Sequence, residues 1–442
     1  MKKLVTLAMI SMLAAVSTLS AGAIRCEAMG NMTSLKDTRN FGTFPQLTVT
    51  GAENITVGSE YTGNVLNALD FTNVPTFNAV NGSVRYKMLD NMGLQVMAKV
   101  GENTTSIINV ANDDTTNVPD YDTAYNRVNL LWSMDMGSGM MAGVGVKFYS
   151  NSASYDKSST PVPVNPATPD IKSEHSMWYT SIRPGLTLPM GGSDLDLAFE
   201  FGFGSWEGKR ESTTGSYTYD EYKLGHYEND GWMNMAFDAR YYMKGDKVDY
   251  VPYMNFTYAS AGAKADITAT NTNEGTISTM GFVAGSGIHL RPIEGINVFN
   301  ELEFKYSNAK LEDKTSDTNY SDEDTYDQSS FTLLPTYRAG VESIHNLDPK
   351  NNWLGVEQLK LWGGFSKSFT NIWSELDNST NNNNTVTGSN TKDTDWSDNG
   401  ETCVTFGGAL AMSNITVELS SKYDESASKN TVKMDIVYNF KR

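Results

Sequence analysis

Residues 231–258 read GWMNMAFDARYYMKGDKVDYVPYMNFTY. In the first half, apolar side chains fall on every second position: Met233, Met235, Phe237, Ala239, Tyr241 and Met243, with Asn234, Asp238 and Arg240 between them. A period of two belongs to a strand, whose successive side chains point to opposite faces, and not to a helix. Beyond the turn Lys244-Gly245-Asp246-Lys247 the alternation resumes. Val248, Tyr250, Pro252, Met254, Phe256 and Tyr258 share one face; Asp249, Val251, Tyr253, Asn255 and Thr257 share the other. The stretch is a hairpin, and each arm reaches the roughly 9 to 11 residues with which a tilted strand crosses a bilayer.

The same pattern recurs along the chain. Leu195, Leu197, Phe199, Phe201 and Phe203 alternate with Asp196, Ala198, Glu200, Gly202 and Gly204, behind the turn Gly191-Gly192-Ser193. Val128, Leu130, Trp132 and Met134 alternate with Arg127, Asn129, Leu131, Ser133 and Asp135. Further arms lie over 280–290, 296–306, 331–341 and 404–412, and the total comes to about 16 strands in a range of roughly 14 to 18. Short turns near residues 91–93, 137–139, 191–193, 244–247 and 293–295 exchange with long polar loops near 102–122, 153–173, 209–230, 310–328 and 371–400. Short turns at one rim and long loops at the other mark a bacterial outer-membrane barrel.

Two soluble alternatives fail. A sandwich uses strands of about five or six residues, shorter than these. A soluble barrel of about 16 strands would enclose a space that side chains cannot fill. The apolar face therefore points outward to lipid and the polar face inward to water. The expected fold is an all-β transmembrane antiparallel barrel with short periplasmic turns and long extracellular loops.

Composition agrees. The 442 residues carry a formal charge of −18 and only two cysteines, which excludes a disulfide scaffold and argues against nucleic acid as a partner. Lys2 and Lys3, the apolar run from Leu4 to Ala15 and the small residues Ala21-Gly22-Ala23 read as a signal peptide over 1–23. No later window is apolar enough for a membrane helix. Residues 24–45 are expected to form a periplasmic N-terminal tail or a small plug, and residues 46–442 the barrel.

The last strand alternates Val432, Met434, Ile436, Tyr438 and Phe440 with Lys433, Asp435, Val437 and Asn439. It resembles the C-terminal strand of outer-membrane proteins, which finish on an aromatic; here Lys441 and Arg442 follow. From these residues the chain resembles a Gram-negative porin. The resemblance implies the cell outer membrane as location, lipid and lipopolysaccharide as surroundings, and a homo-oligomer, a trimer. One porin landmark is missing: the acidic, glycine-containing third loop is replaced by the proline-rich SASYDKSSTPVPVNPATPDIK at 152–172.

By strand parity the inward face carries Arg85, Lys87, Arg127, Arg183, Glu200, Asp238, Arg240, Arg291, Glu303, Arg338 and Lys360, which are the expected pore-lining residues. The arginines could form a basic wall opposed by Glu200, Asp238 and Glu303, setting a transverse field across the pore. Equally, each could pair with a neighbouring acid and stiffen the wall. The four histidines show no metal-ligand spacing, and no serine–histidine motif is visible, so the chain reads as no enzyme, with no metal or cofactor. The expected function is a porin for passive diffusion of small hydrophilic solutes or ions through a water-filled lumen. The alternatives are a plugged transporter of hydrophobic compounds, a structural or adhesive surface barrel, and a sheath for an electron-transfer partner.

Overall fold

The computed structural model describes residues 25, 28–29, 32–35, 42–63, 79–100, 122–157, 170–213, 222–266, 271–317, 323–352, 355–380, 391–397, 401–425 and 429–440. The expected signal peptide, Cys26, the loop at 102–121, the asparagine run at 381–384 and the terminal Lys441-Arg442 lie outside them.

A two-turn 3-10 helix at Pro45–Thr50 precedes β1 (Asn54–Gly63), β2 (Ala79–Leu89), β3 (Met92–Val100), β4 (Asp122–Gly137), β5 (Met140–Lys157) and β6 (Asp170–Met190). Then come β7 (Ser193–Thr213), β8 (Tyr222–Tyr242), β9 (Val248–Asp266), β10 (Asn271–Ile293), β11 (Ile296–Asp317) and β12 (Glu323–Asn346). The chain finishes with β13 (Gln358–Ser368), β14 (Thr370–Thr380), β15 (Thr391–Ser397), β16 (Thr402–Met412), β17 (Ile415–Asp424) and β18 (Lys429–Asn439). Every pairing is antiparallel, and β1 pairs with both β2 and β18, so the sheet closes on itself.

Eighteen segments make sixteen barrel strands. β13 and β14 are one strand interrupted at Phe369, opposite Pro335, which has no N–H to donate and accepts from the Phe369 N–H at 2.9 Å. β15 and β16 are likewise one strand. β15 pairs with β14 and β16 with β13, in the same order along the wall.

The short rim is built by turn chemistry. Gly191 and Gly192 both hold positive φ, 61° and 91°, as does the pair Ser138 and Gly139 at 55° and 81°. A two-residue hairpin turn with both φ values positive matches the right-handed twist of the strands it joins.

The faces sort as the periodicity predicts. Tyr86, Phe148, Phe199, Phe203, Leu302, Phe304, Leu361, Phe406 and Leu419 are exposed on the outside. Arg85, Arg183, Asp196, Glu200, Arg240, Glu301 and Glu342 are buried inside. An apolar belt this continuous is stable only against hydrocarbon. The chain is a transmembrane barrel of the Gram-negative outer membrane.

Two expectations need correction. The strands run well past the bilayer: β12 has 24 residues and β10 has 23. Much of the stretches near 153–173, 209–230, 310–328 and 371–400 is therefore paired strand and not loop. Alternation of apolar and polar residues marks only the part of a strand that touches lipid. Above it the sequence is largely polar at both parities, and backbone pairing continues through it. Second, the barrel begins at Asn54, and residues 46–53 belong to the segment that precedes it.

Candidate functional site

The inner wall is a set of local ion pairs. On β6, Arg183 donates to Glu200 of β7 and to Asp238 of β8. Lys147 of β5 reaches Glu200 at 2.8 Å, and Tyr179 donates to it at 3.1 Å. Arg240 pairs with Asp196 at 2.8 Å, and Arg338 bridges Glu301 at 2.7 Å and Glu303 at 2.9 Å. Arg291, at the short-turn rim and partly exposed, holds Asp249 at 2.6 Å.

Glu200, Asp238 and Glu303 thus stand beside arginines on neighbouring strands and not across the lumen from them. Charges paired at contact largely cancel beyond a few ångströms, so these do not make the opposed walls of a transverse field. Arg127 and Lys360, also expected to line the pore, form no ion pair with another described residue.

The short-turn half of the lumen is filled by the segment before β1. Ala28, Met29, Met32, Ser34 and Leu35, then Phe44, Pro45, Gln46, Leu47, Thr48 and Val49, are buried. Wall side chains hold its backbone. Thr33 and Ser34 donate their N–H groups to the two oxygens of Glu301, at 3.1 and 2.7 Å. Arg240 donates to the Leu35 carbonyl at 3.0 Å, Arg183 to that of Thr43 at 2.8 Å, Arg85 to that of Ala52 at 3.3 Å, and Thr405 to that of Ala28 at 2.9 Å. At the segment's start Arg25 forms a two-pronged pair with Glu342, at 2.7 and 3.0 Å. The Lys87 N–H donates to Glu53 at 2.8 Å.

Apolar contacts complete the seat. Ala28, Met29, Met32 and Leu35 pack on Phe299, Trp362 and Ala409; Phe44 and Leu47 pack on Met97, Leu131 and Ala198. The Arg240 guanidinium also lies over the Phe44 ring, 4.6 Å from its centroid. Where the segment's backbone comes closest, the wall has glycine. A Cβ on Gly143 would sit 2.6 Å from the Gln46 Cα, and one on Gly93 2.9 Å from the Val49 Cα. On the other side one on Gly340 would sit 3.0 Å from the Met29 Cβ.

Arg85, Arg183 and Arg240 belong to the pore-lining set read from the sequence, and the apolar and glycine residues of the seat do not. The signal was there: Met97, Leu131, Gly143, Ala198, Phe299, Gly340 and Trp362 all stand at inward parity, where a wetted wall would place polar groups. Ser34 and His289 also meet, Oγ to Nε2 at 3.0 Å, with Tyr242 on the other ring nitrogen at 3.2 Å. Both are buried in the seam between segment and wall, so the pair fastens the segment.

No family model matches the chain, and no curated protein matches it. Among solved structures it is similar in shape to the Pseudomonas putida toluene transporter TodX, with 10% identity, a TM-score of 0.41, and 96% of this chain and 98% of that one covered. It is also similar to the ferric yersiniabactin uptake receptor FyuA from Yersinia pestis, with 7% identity, a TM-score of 0.37, and 88% and 80% covered. The barrel assignment itself stands on the strand pairing and the two faces described above.

Proposed function

We propose that the chain passes small hydrophilic solutes or ions through its lumen, and that the described residues before β1 (25, 28–29, 32–35 and 42–53) gate the short-turn, periplasmic mouth. The observation that supports this is the way the segment is held. Its fastenings run through main-chain carbonyls and N–H groups bound by the charged wall residues Arg85, Arg183, Arg240 and Glu301 and by the Thr405 hydroxyl, on strands spread around the barrel from β2 to β16. Above it the inner wall presents Arg127, Lys147, Tyr179, Asn234, Asn255 and Lys305, a polar surface suited to water and polar solutes. A plugged carrier of hydrophobic compounds is the second reading, favoured by the two apolar clusters inside the lumen. Those clusters consist of the segment and its seat, which the first reading already uses.

Single-channel recording in planar bilayers under a salt gradient tests the proposal. The full chain is expected to give brief ohmic openings, and the double variant Glu301→Gln, Glu342→Gln longer ones, since it loses two anchors of the segment. A folded, inserted double variant that never conducts would refute a gated pore.

A further inference from the structure

Charge is unevenly shared around the inner wall. From β7 to β12 the buried carboxylates Asp196, Glu200, Asp238, Glu301, Glu303 and Glu342 each accept from a described donor. From β3 to β6 the inward positions carry Lys99, Arg127, Lys147 and Arg183, and the one acid among them is Asp135, at the short-turn rim. Lys147 and Arg183 both turn to Glu200 of β7. Arg127 is half-buried and forms no hydrogen bond or ion pair with a described residue.

Like charges meet on this arc. Lys99 is the cross-strand partner of Arg127, and Lys147 stands one row nearer the short turns on the next strand, as the partner of Asn129. Directly opposed residues have Cβ atoms about 4.5–5.5 Å apart and diagonal ones about 7–8 Å, and like charges directly opposite destabilise a sheet. Between the two cations Asn129 is 3% exposed, and its carboxamide oxygen is reached by no described group. A half-turn of the carboxamide exchanges that acceptor for an N–H₂ donor. Asn129 and Arg127 lie one and two rows beyond Leu131, on which Phe44 and Leu47 pack, so the cluster borders the lumen directly above the docked segment.

A cation entering here would add to the repulsion between Lys99 and Arg127, and a neutral solute would leave it in place. An oxyanion relieves it. The Arg127 guanidinium offers a planar fork of N–H donors suited to two oxygens of one carboxylate or phosphate. Lys147 has two N–H groups beyond the one it gives Glu200. We infer that Arg127, Asn129 and Lys147 form a binding site for a small oxyanion, a phosphate or a carboxylate, with Lys99 adding to the attraction; the inference rests on the transport reading and names its solute class. The anion takes the place that acids hold on the β7–β12 arc.

The test uses the purified full chain at low ionic strength, where screening is weakest. Titration calorimetry with inorganic phosphate and with succinate should show saturable binding of one or both, with glucose and lysine giving none. Binding of phosphate alone assigns the site to tetrahedral oxyanions, of succinate alone to carboxylates, and of both to oxyanions in general. Arg127→Gln should weaken binding at least tenfold without lowering the melting temperature, since the side chain it replaces has no described partner. Lys244→Gln, which removes a positive charge at the short-turn rim, should bind as the wild type does. Absence of saturable binding of either anion to the folded barrel would overturn the inference, as would an Arg127→Gln barrel that binds as tightly as the wild type, or equal weakening by Lys244→Gln. Bilayer recording is read separately. Anion binding without any ionic current sinks the transport reading and leaves the site standing; current without anion binding does the reverse.

Discussion

Glu301→Gln is the most informative single change. The Glu301 carboxylate accepts the consecutive N–H groups of Thr33 and Ser34, and it is fully buried together with Ser34. A carboxamide keeps one acceptor oxygen and turns an N–H₂ toward the other plug N–H, so one charge-assisted bond is lost outright and a donor is left facing a donor. Hydrogen bonds to charged groups contribute about 1.5–3 kcal/mol, and a buried unpaired donor costs a similar amount. Arg338 keeps its second partner Glu303, at 2.9 Å, so the wall itself is spared. Undocking of residues 28–35 should become easier by ~3 kcal/mol, a shift of roughly 100-fold at 1.4 kcal/mol per factor of ten. Hydrogen exchange by mass spectrometry on the peptide containing Thr33 and Ser34 should show about that acceleration, with the β11 and β12 amides unchanged. Equal acceleration in β11 and β12 would mean that Glu301 holds the wall together and the plug only incidentally. Unchanged exchange at Thr33 and Ser34 would refute the anchoring.

Four further outcomes follow from the same geometry. Gly143→Ala places a methyl group against the backbone of Gln46, and overpacking of this kind costs about 1–3 kcal/mol; it should release the 3-10 turn and raise exchange at residues 45–50 with little change in barrel melting. Arg183→Ala removes the shared partner of Glu200 and Asp238 and should destabilise the barrel by about 3–5 kcal/mol in urea titration within lipid vesicles, because it strands buried charge. Arg291→Ala, at the exposed rim, should cost about 1 kcal/mol or less in the same assay, and equal losses would contradict the burial difference. Leu419→Arg on the lipid face should cost roughly 2–4 kcal/mol, the penalty for an arginine near the bilayer midplane.

The barrel was legible in the sequence because lipid imposes a period. The alternation of Phe237 with Asp238 shows a two-faced strand, and the length and number of such strands decide that the apolar face is the outer one. The extended hairpins were not legible, since paired strands such as 310–317 and 323–328 are polar on both faces and read as loop. Nor was the pairing of Arg183 with both Glu200 and Asp238. Parity places all three inside, but only the cross-strand register decides whether they meet or face one another.

The plug was hidden for a different reason. The described residues between 28 and 51 pack on inward positions of many strands, from β2 to β16, and not on neighbours along their own chain. Their imprint falls on the wall. A lumen filled only by water gives no reason for Trp362, Phe299 and Leu131 to point inward, nor for Gly93, Gly143 and Gly340 to stand where the segment comes closest. Inward apolar and glycine positions, interleaved with buried charges such as Glu342, Arg240 and Asp196, therefore mark the part of the wall on which the residues before β1 pack. On β5 that part ends between Gly143 and Lys147 and on β12 between Gly340 and Thr336, in both cases nearer the short turns than the far ends of the strands.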